Sequence, residues 1–483
     1  MKKLLAALVI LVGLLVLAGA AIVLLVDVNA HKPRIETAVS DALDMEFRIR
    51  GKAGMRLFPS AGIALSDVRL RNRDTDLATA ETLRVGVRLL PLLLDRQVNI
   101  TELVLGKPVI RIEKGADGKY NYETPPGPVK PASKGAESPS APLGVAKGSI
   151  SAGKIVYVDR KAGSETSLDA IDLSVRDLSI PTARDADLMK GITFTGDLSV
   201  KEIRSKDLAV SDMRAKVTAG AGIYEIRPFT MKLFGGGGSG GIRVDLSGDR
   251  TALKVSYTLA DFRAEEPLAA LARKKYLSGT MTVTPDLSLR GKDAAEMKRT
   301  LSGTVSLRGD GLTLHGMEID RVLSTMEEAQ NLNLADVGAF LLTGPLGPAV
   351  VKGYRYGEVY RSTTAEGESR ITRLVSDWTV RNGVAEARDV AFSTGKNRIA
   401  LKGKLDLVNG QFVDVTVAAL DGKGCAKMRQ KISGPFADPR MDKVSILQSV
   451  AAPILGILER EARRFLGSQA CEPFYTGTVQ HPK

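Results

Sequence analysis

Few of the 483 residues have the types and spacing that chemistry needs. There are three histidines, His31, His315 and His481, far apart in sequence. None stands in H-E-x-x-H or a similar spacing that would put two imidazoles on one metal ion. A Ser/His/Asp site drawn from distant residues stays open, but no pattern points to one, and an unpatterned histidine is more often structural or solvated than catalytic. Gly235–Gly241 (GGGGSGG) invites a phosphate-loop reading. Such a loop needs Lys-Ser or Lys-Thr after its glycines and then a helix. Ile242-Arg243-Val244 follows instead, so a flexible turn or bulge between strands is expected. Asn99-Ile100-Thr101 matches a glycosylation triplet inside an expected strand, and such triplets are common by chance. No catalytic, metal-binding or cofactor-binding residue is therefore assigned, and the chain is expected not to be an enzyme. The remaining reactive side chains are Cys425 and Cys471. In an oxidising compartment they would form one disulfide, worth roughly 3–4 kcal/mol on the loop-entropy account. Two separate thiols are the alternative. The bridge is favoured because both cysteines lie in the final segment, on either side of an expected helix.

The compartment is read from the start of the chain. Leu4 to Val26 carries no charge, with Lys2 and Lys3 before it and Asp27 after it. As a helix it would reach roughly 34 Å, enough to cross a hydrocarbon core. A cleaved secretory signal is the alternative, with Val28-Asn29-Ala30 as its cleavage site. The apolar run is longer than a signal usually carries, which favours an uncleaved anchor. Lys2 and Lys3 then stay in the cytoplasm and residues 27–483 lie on the far side. The net charge of +13 is spread along the chain. In an exported protein this fits anionic lipid headgroups, or simply a solvated surface, better than nucleic acid. Aromatics are few at 5%, and glycine is frequent at 48 residues. That suits a sheet whose strands pack on their neighbours better than a large enzyme core.

Beyond the anchor, residues 31–44 read as a short amphipathic helix with Ile35, Val39, Ala42 and Leu43 on one stripe. The period then drops to two. Phe47, Ile49, Ala53, Met55 and Leu57 alternate with Arg48, Arg50, Lys52 and Arg56. Further strands are expected at Ile63–Leu70, Leu83–Leu89, Val98–Leu105 and Val109–Glu113, with a tight turn at Asp117-Gly118. Residues 124–142 are rich in Pro, Ser, Gly and Lys and read as a linker and a boundary. Alternation resumes after it, for example at Ile171, Leu173 and Val175, and at Phe194, Leu198 and Val200. Helices are expected only at 264–277, 317–331, 334–342 and 444–467, the last bent at Pro453. Such a chain presents one polar and one apolar surface. The apolar surfaces either line a long trough or meet inside sandwiches, and alternation does not separate the two.

At both ends the residues resemble the AsmA family of inner-membrane-anchored periplasmic proteins. The N-terminal likeness runs from the apolar segment through Asp27-Val28-Asn29, Lys32-Pro33-Arg34-Ile35-Glu36, Leu57-Phe58-Pro59 and Leu89-Leu90-Pro91-Leu92-Leu93 to Asp117-Gly118-Lys119-Tyr120-Asn121. The C-terminal likeness includes Leu301-Ser302-Gly303-Thr304, Asn382-Gly383-Val384, Ile432-Ser433-Gly434-Pro435-Phe436 and Tyr475-Thr476-Gly477. The resemblance implies a transmembrane helix followed by an elongated, curved antiparallel β-groove with a few short helices, related to bridge-like lipid transfer proteins. It implies phospholipid movement and outer-membrane biogenesis, with no catalytic residues and no cofactor. The expected layout is an anchor (1–30), an N-terminal β region (31–123), a linker (124–145), a β-groove region (146–443) and a C-terminal helix and tail (444–483). Phe47, Ile49, Met55 and Leu57 are the candidate groove walls. Expected partners are phospholipids, the inner membrane and outer-membrane or periplasmic proteins, and no nucleic acid. A periplasmic assembly factor that holds proteins by strand addition is the rival reading.

Overall fold

The computed structural model describes residues 28–56, 61–72, 75–88, 100–123, 143–181, 187–206, 208–267, 277–324, 367–446 and 471–482. The apolar run 4–26, the candidate Leu57, the segment 124–142, the expected helix at 334–342 and most of the one at 444–467 lie outside these residues. Among the described residues no helix is long and apolar enough to cross a membrane. The chain is mainly strand and divides into two compact units, 1–231 with 245–247, and 232–244 with 248–483.

Unit 1 begins with helix α1, Lys32–Leu43, which Pro33 starts and a left-handed Asp44 (φ 52°) ends. The sheet's first strand follows in two pieces, β1 (Glu46–Ile49) and β2 (Ala53–Arg56). Both pair with β3 (Ala61–Asn72). Strand β4 (Thr75–Val87) pairs next, then another strand in two pieces, β5 (Ile100–Gly106) and β6 (Val109–Lys114). Beyond these come β7 (Leu143–Asp159), β8 (Ser164–Ile180), β9 (Thr193–Ser205) and β10 (Leu208–Gly220), and β11 (Ile223–Leu233) follows in the chain. A helical turn, α2 (Leu188–Gly191), joins β8 to β9 and is capped by Asp187.

One junction departs from the expected antiparallel order: β5 and β6 run parallel to β7. Parallel neighbours need a long return connection, and residues 115–142 supply it. The expected boundary at 124–145 therefore falls inside one unit, and residues 143–145 already belong to β7.

Unit 2 is an antiparallel meander. It runs from β13 (Thr251–Arg263) through β15 (Thr280–Gly291), β16 (Ser302–His315), β17 (Glu368–Arg381), β18 (Val384–Ser393) and β19 (Arg398–Asp406) to β20 (Gln411–Leu420) and β21 (Ala426–Pro435). Three short strands complete it: β14 (Leu277–Ser278) on β16, and β22 (Arg440–Met441) and β23 (Ser445–Ile446) on β21. The expected helix 444–467 thus has strand at its start, and the expected helix 264–277 has strand at its end. Within 317–331 the described helix is α4, Ile319–Ser324. A helix the alternation did not show, α3 (Ala294–Thr300), is held by a reciprocal cap: Asp293 accepts the Glu296 N–H at 2.7 Å, and Glu296 accepts the Lys292 N–H at 2.8 Å.

The glycine run is also corrected. Gly235 (φ 77°) does lie in a turn, but Gly236–Gly241 belong to strand β12 (Gly236–Asp245). A Cβ on Gly236 or Gly240 would collide with the backbone of β13, and one on Gly238 with the Tyr257 ring. Glycine is needed there because the neighbouring chain and an aromatic ring occupy the side-chain space.

Candidate functional site

Cross-strand partners carry their side chains on the same face of a sheet, so register tells which residues share a surface. In unit 1 it aligns three apolar rows. The first joins Phe47, Leu70, Ala78, Ile110, Ile155, Leu168, Ile203 and Val210. The second joins Leu65, Leu83, Leu105, Ile150, Leu173, Leu198 and Ala215. The third starts at Met55 and continues through Ile63, Val85, Leu103, Gly148, Val175, Gly196 and Val217. The opposite face is polar along most of its length, as in the row Arg84, Val104, Ser149, Ser174, Asp197 and Lys216. Ion pairs lie across it, Arg176–Asp197 at 3.2 Å and Lys154–Asp169 at 2.9 Å. The Lys154 hydrogen bond, helped by Ser167, holds the Asp169 carboxyl below the usual range.

The first and second rows are five residues apart in every strand they share, for example Leu105 to Ile110 and Ile150 to Ile155. In a regular strand residues five apart point to opposite faces. In β3, β5–β6, β7, β8 and β10, though not in β4 or β9, left-handed residues between the rows reset the alternation. These are Asp67, Lys107, Ala152, Ala170 and Asp212, with φ between 44° and 51°. They sit at one level across five strands, so their kinks add to a crease running crosswise to the strands. The crease is hollow on the apolar side. Beneath α1 lies a cavity of about 430 Å³ lined by Ile35, Val39, Phe47, Leu65, Leu83 and Leu105 among others. A second hollow of about 650 Å³ lies over Ile150, Leu173, Leu198 and Ala215, bordered by Pro228 and Thr230 and by polar neighbours that include Ser149, Asp172 and Arg214. Leu105 and Ile150 are register partners, so the two hollows adjoin along the second row.

Of the candidate walls, Phe47 lines the first cavity, and Ile49 packs in the buried cluster beneath α1. Met55 is half-buried at the head of the third row. The more open walls are farther along: Ile155, Leu168, Leu173, Leu198 and Ile203 are all half-buried. Their alternation was visible in the sequence. Their alignment was not, because it depends on the left-handed residues.

Unit 2 is closed by contrast. At the centre of its cluster Leu312, Ile371, Leu374, Phe392 and Leu405 are fully buried. The other face of its sheet carries Val375, Ala391, Ala400, Ala418 and Leu420, and the tail 471–482 covers it through Tyr475 and Val479. The Cys425–Cys471 disulfide ties down the start of that tail, as expected.

Unit 2 also brings together residues that sequence spacing left unconnected. Ser278 Oγ lies 2.8 Å from His315 Nε2, and His315 Nδ1 lies 2.8 Å from Glu368 Oε1. The order is that of nucleophile, base and orienting carboxylate. It follows from register, since His315 and Glu368 are direct cross-strand partners and Ser278 faces Thr313, two residues before His315. The next N–H, that of Gly279, is the natural donor to a developing oxyanion, but it already donates to Glu265 at 3.3 Å. Glu368 is 66% exposed, too wet to orient a base strongly. Gly237 to Gly241 spell G-x-S-x-G around Ser239, yet they lie within β12 and not on a strand-to-helix elbow. Among the described residues no group of acidic, histidine and cysteine side chains could hold a metal ion.

The AsmA family profile matches residues 1–202 and again residues 195–390. The chain belongs to the AsmA family. No curated protein and no solved structure matches it. The first match covers unit 1 of this AsmA protein from its start into β9, and the second runs from β9 through β10 and much of the meander to β18.

Proposed function

We propose that this AsmA protein is a membrane-tethered carrier that shelters phospholipid acyl chains on the creased apolar face of unit 1, without catalysis. The observation that carries this reading is the continuity of the apolar rows across the sheet, with hollows along them and a polar face behind. An apolar surface of this extent needs an occupant, and acyl chains are what a tethered protein meets first. Each buried methylene is worth about 0.8 kcal/mol, so a few per strand hold a chain while leaving it free to shift. The charge-free run 4–26 supplies the tether, with the N-terminus cytoplasmic and the remainder periplasmic. The disulfide suits that oxidising side. On this reading the protein serves lipid transport towards the outer membrane.

The test is photo-crosslinking of a diazirine-bearing phospholipid to the full chain in membranes. Leu198→Glu and Ile203→Glu place charge in the trough. A charge against an acyl chain costs well over the roughly 1.4 kcal/mol that equals a factor of ten, so crosslinking to unit 1 should fall about tenfold or more. Lys147→Glu, exposed on the polar face and outside both hollows, should change nothing. Equal crosslinking in all three variants would remove the carrier reading.

A further inference from the structure

The outer edge of the first strand, β1–β2, should be a row of open backbone groups, yet side chains from one face of α1 and the turn before it fill it. Ser40 Oγ accepts the Phe47 N–H at 2.9 Å, and Glu36 Oε1 accepts the Ile49 N–H at 2.7 Å. Lys32 donates to the Gly51 carbonyl, and Asn29 Oδ1 accepts the Ala53 N–H at 2.9 Å. The spacing explains why this ladder closes. One helical turn and a fraction, four residues, advances about 6 Å, and two strand residues advance about 6.8 Å. Residues 40, 36 and 32 therefore keep step with residues 47, 49 and 51, and Asn29, in the 3-10 turn Val28–His31, reaches 53. The neighbouring face of the same helix, Ile35 and Val39, packs on the sheet.

We infer that α1 is an edge guard: its polar face occupies the hydrogen-bonding positions that a strand from a second copy of this chain would otherwise take. Exposed edges template such pairing. A second copy is the matching occupant because the β1–β2 edge on one molecule is complementary to itself in antiparallel register. The inference stands independently of the lipid reading. It also removes the β1–β2 edge as a site of strand addition by other proteins while α1 is docked.

The experiment uses the full chain in nanodiscs, compared with Asn29→Ala/Glu36→Ala/Ser40→Ala, which leaves Ile35 and Val39 in place. Hydrogen exchange of the Phe47, Ile49 and Ala53 amides should rise at least tenfold in the variant. In detergent the variant should form dimers as concentration increases, with a photo-crosslinker at Arg50 joining the two copies. Unchanged exchange would overturn the hydrogen-bond guard. Faster exchange in a protein that stays monomeric at every concentration would overturn the guarding role. If the triple variant fails to fold, single variants decide. Glu36→Gln keeps the acceptor and should keep Ile49 protected, whereas Glu36→Ala should not. Equal protection in both sinks the inference.

Discussion

The crease rests on single residues in an unfavourable conformation. Ala152 and Ala170 both sit at φ 50° inside long strands. An L-residue with a Cβ pays roughly 1–2 kcal/mol there, whereas glycine visits this region freely. Glycine in a strand normally destabilises. Here Ala170→Gly, and separately Ala152→Gly, should stabilise unit 1 by about 0.5–1 kcal/mol, the relief of strain exceeding the added entropy of the unfolded chain. Urea unfolding followed by far-UV circular dichroism measures this, and destabilisation would mean the strands are not kinked where described. Ser278 makes a second residue-scale test. Its contact with His315 looks reactive, but the committed Gly279 N–H and the wet Glu368 leave the hydroxyl without an oxyanion site or a firmly held base. A fluorophosphonate probe should leave Ser278 unlabelled, and labelling that disappears in His315→Ala would overturn the non-catalytic reading.

At the scale of elements, the tail 471–482 behaves as a strap on unit 2. Asp389 accepts the Tyr475 hydroxyl, the Thr478 N–H at 3.0 Å and the Thr478 hydroxyl at 2.6 Å. The Tyr475 oxygen in turn accepts the Val479 N–H at 3.0 Å. Burial, and then Asp389, push the Tyr475 phenol far above its ordinary range, so it stays a donor at any physiological pH. Tyr475→Phe removes that donor from a carboxylate and should cost unit 2 about 1–3 kcal/mol. Trp378, the one tryptophan and 3% exposed in the unit 2 core, reports the loss by fluorescence. No change in its midpoint would mean the strap is not docked. This tail carries no periodicity, so the sequence shows its cysteine and the Tyr475-Thr476-Gly477 likeness but not its docking. Elements held by local spacing were legible: α1 from Ile35, Val39 and Leu43, and most strands from alternation. The crease was hidden because apolar residues five apart look like a broken pattern. The glycine run was read correctly only at Gly235, because nothing in GGGGSGG reveals that Tyr257 on the next strand fills the space beside the others. For α3 the signal was present, an Asp and a Glu three residues apart at 293 and 296, but it belongs to capping chemistry and not to apolar period.

At the scale of the molecule, the two units differ in what they do with the same alternation. Unit 2 covers both faces of its sheet, and unit 1 covers one end of its apolar face with α1 and leaves half-buried rows beyond. Length of sheet therefore does not set the length of usable trough. What keeps unit 1 whole is its parallel junction, since β5 and β6 before the Pro/Ser-rich segment hydrogen-bond to β7 after it. A linker between domains and a crossover within a sheet have the same composition but opposite consequences when cut. A specific protease site placed within 124–142 should give two fragments that migrate together on size exclusion in mild detergent and separate only in denaturant. The nicked protein should also keep its phospholipid crosslinks to Leu173 and Leu198, because the second apolar row crosses the junction through Leu105 and Ile150. Fragments that part without denaturant would place the break between independent domains, and the row, the crease and the adjoining hollows would each stop at β5.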